Sequence, residues 1–305
     1  MIKDLKLRAY AEINLDDLIF NLKKINEGLK PGTAMCCVVK ADAYGHGAVQ
    51  VSKAVSELDF VKFLAVATPE EGGEIRENGV DLPILILSPS FPDSLETVIN
   101  NDLRPSVFTE RQLSALSDMA VIAGKTVKIH VPVDTGMSRI GVRPDEEGLL
   151  FIKKAANTPG ISLEGVFTHL SRADETDPLF SRDRAGVFME FCGKIKASGV
   201  DVPICHCSNS AGIMTIPEAN MDMVRVGITM YGLSPSSEVT REMAGLKSVM
   251  RFHSSVSYIK EIPAGTPVSY GGTYVSDKVM RIATVAAGYA DGYPRLLSNK
   301  GCVLI

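Results

Sequence analysis

The chain has no tryptophan, only 6% aromatic residues, and 6 cysteines among 305 residues. So few cysteines cannot staple a chain of this length, which excludes a disulfide scaffold. Cys36, Cys37, Cys205 and Cys207 lie in or beside apolar, strand-like runs, where a free thiol packs as a small hydrophobe. Cys205-His206-Cys207 offers metal-binding residue types, but alternate strand residues face opposite sides. With no second ligand pair at zinc-like spacing, no metal is expected. No apolar stretch approaches the length of a membrane span. The opening Met-Ile-Lys-Asp-Leu-Lys has no apolar core of a signal peptide. There is no basic block either: 32 Lys and Arg are scattered among 36 Asp and Glu, for a net charge of −4. That balance argues against a nucleic-acid or anionic-membrane partner. What remains is an ordinary soluble globular protein suited to a reducing cytoplasm, large enough for one big domain and a smaller one.

Through about residue 230, short apolar runs alternate with longer amphipathic stretches. Strands are expected over 36–40, 63–67, 83–87, 104–108, 127–133, 163–169, 204–207 and 223–226, with helices such as 51–58, 110–123, 146–157 and 187–197 between them. A further helix over 15–29 precedes the first strand. Eight successive β-then-α units predict an α/β fold, a TIM-type (β/α)8 barrel over 1–235. A doubly wound sheet is the runner-up, but no Gly-x-Gly-x-x-Gly follows the first strand. From 236 to 305 the texture turns to short β-rich runs, 256–262, 266–270 and 281–286, broken by Pro-Ala-Gly, Gly-Gly and Asp-Gly turns. This predicts the start of an all-β domain. It stops within the apolar run Gly301-Cys302-Val303-Leu304-Ile305, so the domain is expected to be incomplete.

The site of such a barrel is built from loops at the C-terminal ends of its strands. Unusual residues collect there: Lys40 ends the first strand, Arg139 follows the fifth, His169 ends the sixth, Asn209 and Ser210 follow the seventh, and Arg225 ends the eighth, followed by Gly227 and Ile228. Each alone has a plain explanation as a surface charge, a core histidine or a helix cap. Converging on one rim, they suggest chemistry. A lysine inside an apolar run is a usable nucleophile or base when desolvated. Ser210 with the backbone N–H groups around Gly227 and Ile228 would form a phosphate cradle after the last two strands, and glycine lets backbone approach an anion closely. Lysine plus phosphate cradle points to pyridoxal 5′-phosphate held as a Schiff base.

The stretch Val39-Lys40-Ala41-Asp42-Ala43-Tyr44-Gly45-His46-Gly47 resembles the cofactor-lysine signature of alanine racemases. Asp134 to Gly141, Thr168-His169-Leu170, Asn209-Ser210-Ala211, Arg225-Val226-Gly227-Ile228, Val268-Ser269-Tyr270-Gly271 and Gly288-Tyr289-Ala290-Asp291-Gly292-Tyr293 extend the resemblance along essentially the whole chain. It implies a cytoplasmic isomerase supplying D-alanine, acting on a small amino acid as a homodimer with shared active sites. It implies Lys40 as cofactor lysine and base on one face of Cα, and Tyr270, from the partner subunit, as base on the other. Two bases, one per face, suit inversion of a stereocentre. Tyr44, Asn209, Ser210, Gly227 and Ile228 are implied around the cofactor, His169 near its ring, Arg225 at the ring nitrogen, and Arg139 at the substrate carboxylate. His206 and Tyr289 are implied as supporting residues, His206 through Arg225.

Two positions depart from the family pattern. Asp42 stands where asparagine is usual, and Pro132 where the family often carries a lysine made anionic by carbamylation. Arg139 must therefore be oriented by something other than a charged neighbour at 132. The family also continues beyond Ile305 with a substrate-contacting loop and a late tyrosine. Rival readings are a racemase for serine or another amino acid and a cofactor carrier without catalysis. A carrier needs no opposite-face base, and a decarboxylase of similar architecture would carry an acid where Arg225 stands.

Overall fold

The computed structural model describes residues 7–304. Residues 1–6 and Ile305, on which the readings of the chain's two ends partly rest, lie outside the described residues. Two compact units emerge: one comprises Asn14–Val249, the other the described part of Met1–Ile13 together with Met250–Ile305.

In the larger unit, β2 (Ala34–Val38), β3 (Val61–Val66), β4 (Ile84–Pro89), β5 (Arg104–Ser106), β6 (Val127–Pro132), β7 (Ile161–Phe167), β8 (Ile204–His206) and β9 (Met223–Val226) form a closed parallel barrel. The last strand returns to the first through pairs running from Ala34↔Met223 to Cys37↔Val226. Because helices cover the outside while side chains fill the inside, these strands read as nearly continuous apolar runs. Cys36, Val38, Phe63, Ala65, Leu85 and Met223 make one buried cluster. The helices are closed by local signals. Asn14 caps Leu15–Glu27 through the Asp17 N–H at 3.1 Å, and Thr68 and Thr109 form capping boxes with Glu71 and Gln112. No described helix is long and apolar enough to cross a membrane.

Several strands end earlier than the sequence suggests. β2 stops at Val38 and β7 at Phe167, so Lys40 and His169 each stand two residues beyond a strand end, Lys40 at the start of the turn Lys40–Gly45 and His169 in a loop. Val39 still donates to the Ala65 carbonyl at 2.8 Å, but the Ala41 N–H turns to the Glu71 carboxylate at 2.7 Å and so leaves the ladder.

In the smaller unit, β1 (Ala9–Ile13) pairs antiparallel with β10 (Met250–Ser254), from Ala9↔Ser254 to Ile13↔Met250. β1 carries no strand signal in the sequence. β11 (Val256–Ile262) pairs with β14 (Met280–Val285) across an irregularity at Val256/Tyr258, and two-residue strands at Pro267–Val268 and Tyr274–Val275 form a hairpin. Tyr270, expected at the end of a strand, instead opens the 3₁₀ turn Tyr270–Gly272 and is 90% exposed.

Candidate active site

Lys40 begins a turn that most sequences cannot make. Ala41, Asp42, Ala43 and Tyr44 all have φ between 52° and 56°, a left-handed helical turn without a glycine. Left-handed backbone costs roughly 1–2 kcal/mol for each L-residue, so four in succession must be imposed by their surroundings. Three side chains impose it. The Glu71 carboxylate accepts the Ala41 N–H at 2.7 Å while also accepting Ala67 N–H at 2.7 Å. Asp42 Oδ1 accepts the Ala48 N–H at 2.7 Å, the first residue of the helix Ala48–Ser56. His46 Nδ1 lies 3.0 Å from the Ala43 carbonyl and 3.1 Å from that of Tyr44, so its proton sits on Nδ1. Asp42 acts only as an acceptor, which an asparagine oxygen would also supply. That accounts for the exchange at this position.

The turn aims Tyr44 across the barrel mouth. Its ring lies 5.1 Å from that of the fully buried Tyr231, whose hydroxyl donates to the Val38 carbonyl at 2.9 Å. Lys40 Nζ stands 5.9 Å from the Tyr44 ring centre. Opposite, Asn209 caps the short helix Ser210–Thr215 by accepting the Gly212 N–H at 2.9 Å and donates to the Leu170 carbonyl at 2.9 Å. Ser210 Oγ accepts the Gly227 N–H at 2.9 Å and the Thr229 N–H at 3.4 Å, leaving its own hydroxyl proton to donate outward. Ile228 opens a 3₁₀ turn, where the first N–H groups have no partner within the turn. A Cβ at Gly227 would lie 3.3 Å from Tyr44 Oη and 3.6 Å from Ser210 Oγ. The three residues therefore bound a small polar recess that any side chain at 227 would invade.

Arg225, on β9, is buried to 3% exposure without a carboxylate among its hydrogen-bond partners. One terminal nitrogen donates to His206 Nδ1 at 2.9 Å and the His206 carbonyl at 3.3 Å. The other donates to the carbonyls of Thr168 at 2.6 Å and Cys207 at 3.0 Å. The Phe167 ring lies 5.2 Å beneath the guanidinium. Four of its five N–H bonds are thus engaged, and among the described residues Nε–H has no hydrogen-bond partner. His169 sits in the same neighbourhood. Burial first, then the positive charges of Arg225, Arg139 and Lys40, push its imidazole down to about 3, so it is neutral near pH 7.

Arg139 is exposed on a loop held by its backbone. Asp134 Oδ1 accepts the N–H groups of Gly136 and Ser138 at 3.0 and 2.9 Å, and Val142 donates to the Pro132 carbonyl at 3.0 Å. A Cβ at Gly141 would stand 2.8 Å from that same carbonyl. Loop geometry, not a charge at 132, sets where Arg139 begins.

Lys40, Tyr44, Asn209, Ser210, Arg225, Gly227 and Ile228 are thus collected at one end of the barrel, with His169 and Arg139 among them and His206 beneath Arg225. Tyr270 and Tyr289 belong to the smaller unit. There Tyr289 is exposed, with the Arg295 guanidinium 5.8 Å from its ring, and Asp291 of the same segment pairs with Arg8 at 2.5 Å. Sequence reasoning gave no role to Glu71, Tyr231, His130 or Glu164. Glu71 carried a usable signal, the Thr68-x-x-Glu71 capping pattern. The other three are polar groups inside apolar strands or turns, and only their partners in space give them meaning.

The residues fit a phosphorylated pyridine cofactor. The recess offers hydroxyl and backbone donors, Arg225 offers an unengaged N–H, and Lys40 offers an amine. Two family models match the chain: "Alanine racemase, N-terminal domain" over residues 13–235 and "Alanine racemase, C-terminal domain" over 249–305. An alanine racemase of Desulfovibrio desulfuricans is 42% identical over 297 residues, covering 97% of this chain and 79% of the relative. One of Halothermothrix orenii is 42% identical over 305 residues, covering 100% of this chain and 80% of the relative. A solved alanine racemase of Clostridium difficile 630 superposes with a TM-score of 0.90 at 39% identity, covering 96% of this chain and 76% of that one.

Proposed function

Since this chain belongs to the alanine racemase family, an isomerase family interconverting L- and D-alanine, we propose that it does so through Lys40 and Tyr270 acting on opposite faces of Cα. Pyridoxal 5′-phosphate, when bound, supplies the electron sink that makes the Cα proton removable. The observation that carries the reading is the recess at Gly227, with the free donors of Ser210 and Tyr44 on one side and the unengaged Nε–H of Arg225 nearby.

Lys40 would hold the cofactor through its amine and would take or return the proton on its own face of Cα. Tyr270, from the partner subunit of a homodimer, does the same on the other face. Its exposure on a turn of the smaller unit suits a residue that completes a neighbour's site. Ser210, Tyr44 and the backbone at Gly227 and Ile228 would hold the phosphate. Arg225 would direct its Nε–H toward the cofactor's ring nitrogen, and because a guanidinium does not give up its proton, negative charge would stay near Cα and favour return of the proton there. His169, neutral, packs near the ring without adding charge, and Arg139 receives the alanine carboxylate through its planar fork.

The test is direct. Purified protein supplied with pyridoxal phosphate should show an absorbance band near the visible edge that is lost in Lys40→Ala, and should convert either enantiomer of alanine to the racemate. A Lys40-dependent band with no conversion of either enantiomer would leave a cofactor carrier and overturn the racemase assignment.

A further inference from the structure

Beneath Arg225 a line of hydrogen bonds runs from the C-terminal ends of the strands toward their N-terminal ends. Arg225 contacts His206 Nδ1 at 2.9 Å; His206 Nε2 contacts His130 Nδ1 at 2.9 Å; His130 Nε2 contacts Glu164 Oε2 at 3.3 Å. Glu164 in turn meets Arg104 at 3.4 Å and Lys128 at 3.5 Å. The direction of every link follows from its ends. An arginine only donates, so His206 Nδ1 must accept and its proton must be on Nε2. His130 Nδ1 must then accept, which puts its proton on Nε2, facing a carboxylate that only accepts. No other arrangement satisfies all three contacts.

The packing around this line is built for it. Both histidines are completely buried, and their rings meet edge-on at 5.1 Å. Phe167 stacks on His206 at 5.0 Å and Phe63 meets His130 edge-on at 5.8 Å. Opposite the His130 ring, β7 carries Gly165, whose backbone does not need glycine. A Cβ there would stand 2.4 Å from His130 Nδ1 and 2.5 Å from its Cε1. The glycine exists because the ring occupies the space a side chain would take. Burial and neighbouring cations hold both imidazoles below their ordinary range, consistent with neutral rings carrying one proton each.

Resting on the racemase reading above, we infer that His130 and Glu164 are positioning residues for Arg225: the Glu164 carboxylate fixes the His130 tautomer, His130 fixes that of His206, and His206 thereby holds the guanidinium. A reversed His206 would point an N–H at the Arg225 N–H, so the guanidinium would have to move and take its free Nε–H out of alignment.

Selective ¹⁵N-histidine labelling resolves the five imidazoles of the protein as purified. In long-range ¹H–¹⁵N spectra at pH 7.5, His130 and His206 should both appear as neutral Nε2–H tautomers. Glu164→Leu and Gly165→Ala should each release that fixed tautomer and lower kcat on the order of tenfold to a hundredfold while KM for alanine changes little. Glu164→Gln keeps an acceptor oxygen and should restore both the tautomers and most of kcat. A charged or Nδ1–H ring at either position in the wild type would overturn the inference. So would a Glu164→Leu or Gly165→Ala protein that loses kcat with both tautomers intact, or one that loses the tautomers with kcat unchanged. Should Glu164→Leu not fold, Gly165→Ala and Glu164→Gln carry the test. The spectra do not depend on turnover, so correct tautomers in a protein that racemises nothing would indict the assigned reaction and not the hydrogen-bond line.

Discussion

A single methyl group decides whether the recess at Gly227 stays open. Alanine there would bring Cβ to 3.3 Å from Tyr44 Oη, in the space between two hydroxyl donors. The one tight contact of that methyl is the hydroxyl end of the Tyr44 side chain, which need give by only a few tenths of an ångström, so the fold should survive. Gly227→Ala is therefore expected to unfold within a few degrees of the wild type yet bind pyridoxal phosphate about tenfold or more weakly, as judged by absorbance titration. Unchanged affinity would mean the phosphate is held elsewhere. At this scale the sequence was most readable where a residue type is wrong for its local pattern: Lys40 in an apolar run, Ser210 and Gly227 after the last strands. It was least readable at His130 and Glu164, because a polar residue inside a strand gives no hint of which partners satisfy it.

Among the elements, the left-handed turn after Lys40 carries the largest local strain. Its glycines at 45 and 47 were legible as loop formers, but four non-glycine residues with positive φ were not, since sterics alone argue against them. Contacts distant in sequence impose the turn, and Glu71 is the main one. Glu71→Ala removes the acceptor for Ala41 and Ala67 and half of a capping box. It should cost about 2 kcal/mol in urea unfolding and reduce cofactor occupancy. Glu71→Gln, which can keep one of the two acceptors, should fall between. Equal stability of the alanine variant and the wild type would show that the turn holds itself. The same logic explains why β1 escaped notice: a five-residue, half-exposed strand has no periodicity to read, and its partner β10 is far along the chain.

For the whole molecule, the barrel was legible because parallel strands buried on both faces leave continuous apolar runs at regular intervals. Its interior also sets a pH dependence. His169, His206 and His130 are all held below the ordinary histidine value, chiefly by burial. The unfolded chain then binds protons that the fold does not, so stability is full above about pH 6.5 and declines as pH falls below it. For His169 the decline continues toward about 3, at up to about 1.4 kcal/mol per pH unit. Urea midpoints should drop between pH 7.5 and 5.5, and less steeply in His169→Asn; identical slopes would mean His169 is not held neutral. The central claim, that Lys40 and Tyr270 serve opposite faces of one carbon, is tested most directly by Cα deuterium exchange in heavy water, started separately from L- and D-alanine. The account predicts that Tyr270→Phe slows exchange from L-alanine by roughly a hundredfold or more, and far more than exchange from D-alanine. Equal slowing from both enantiomers would contradict it.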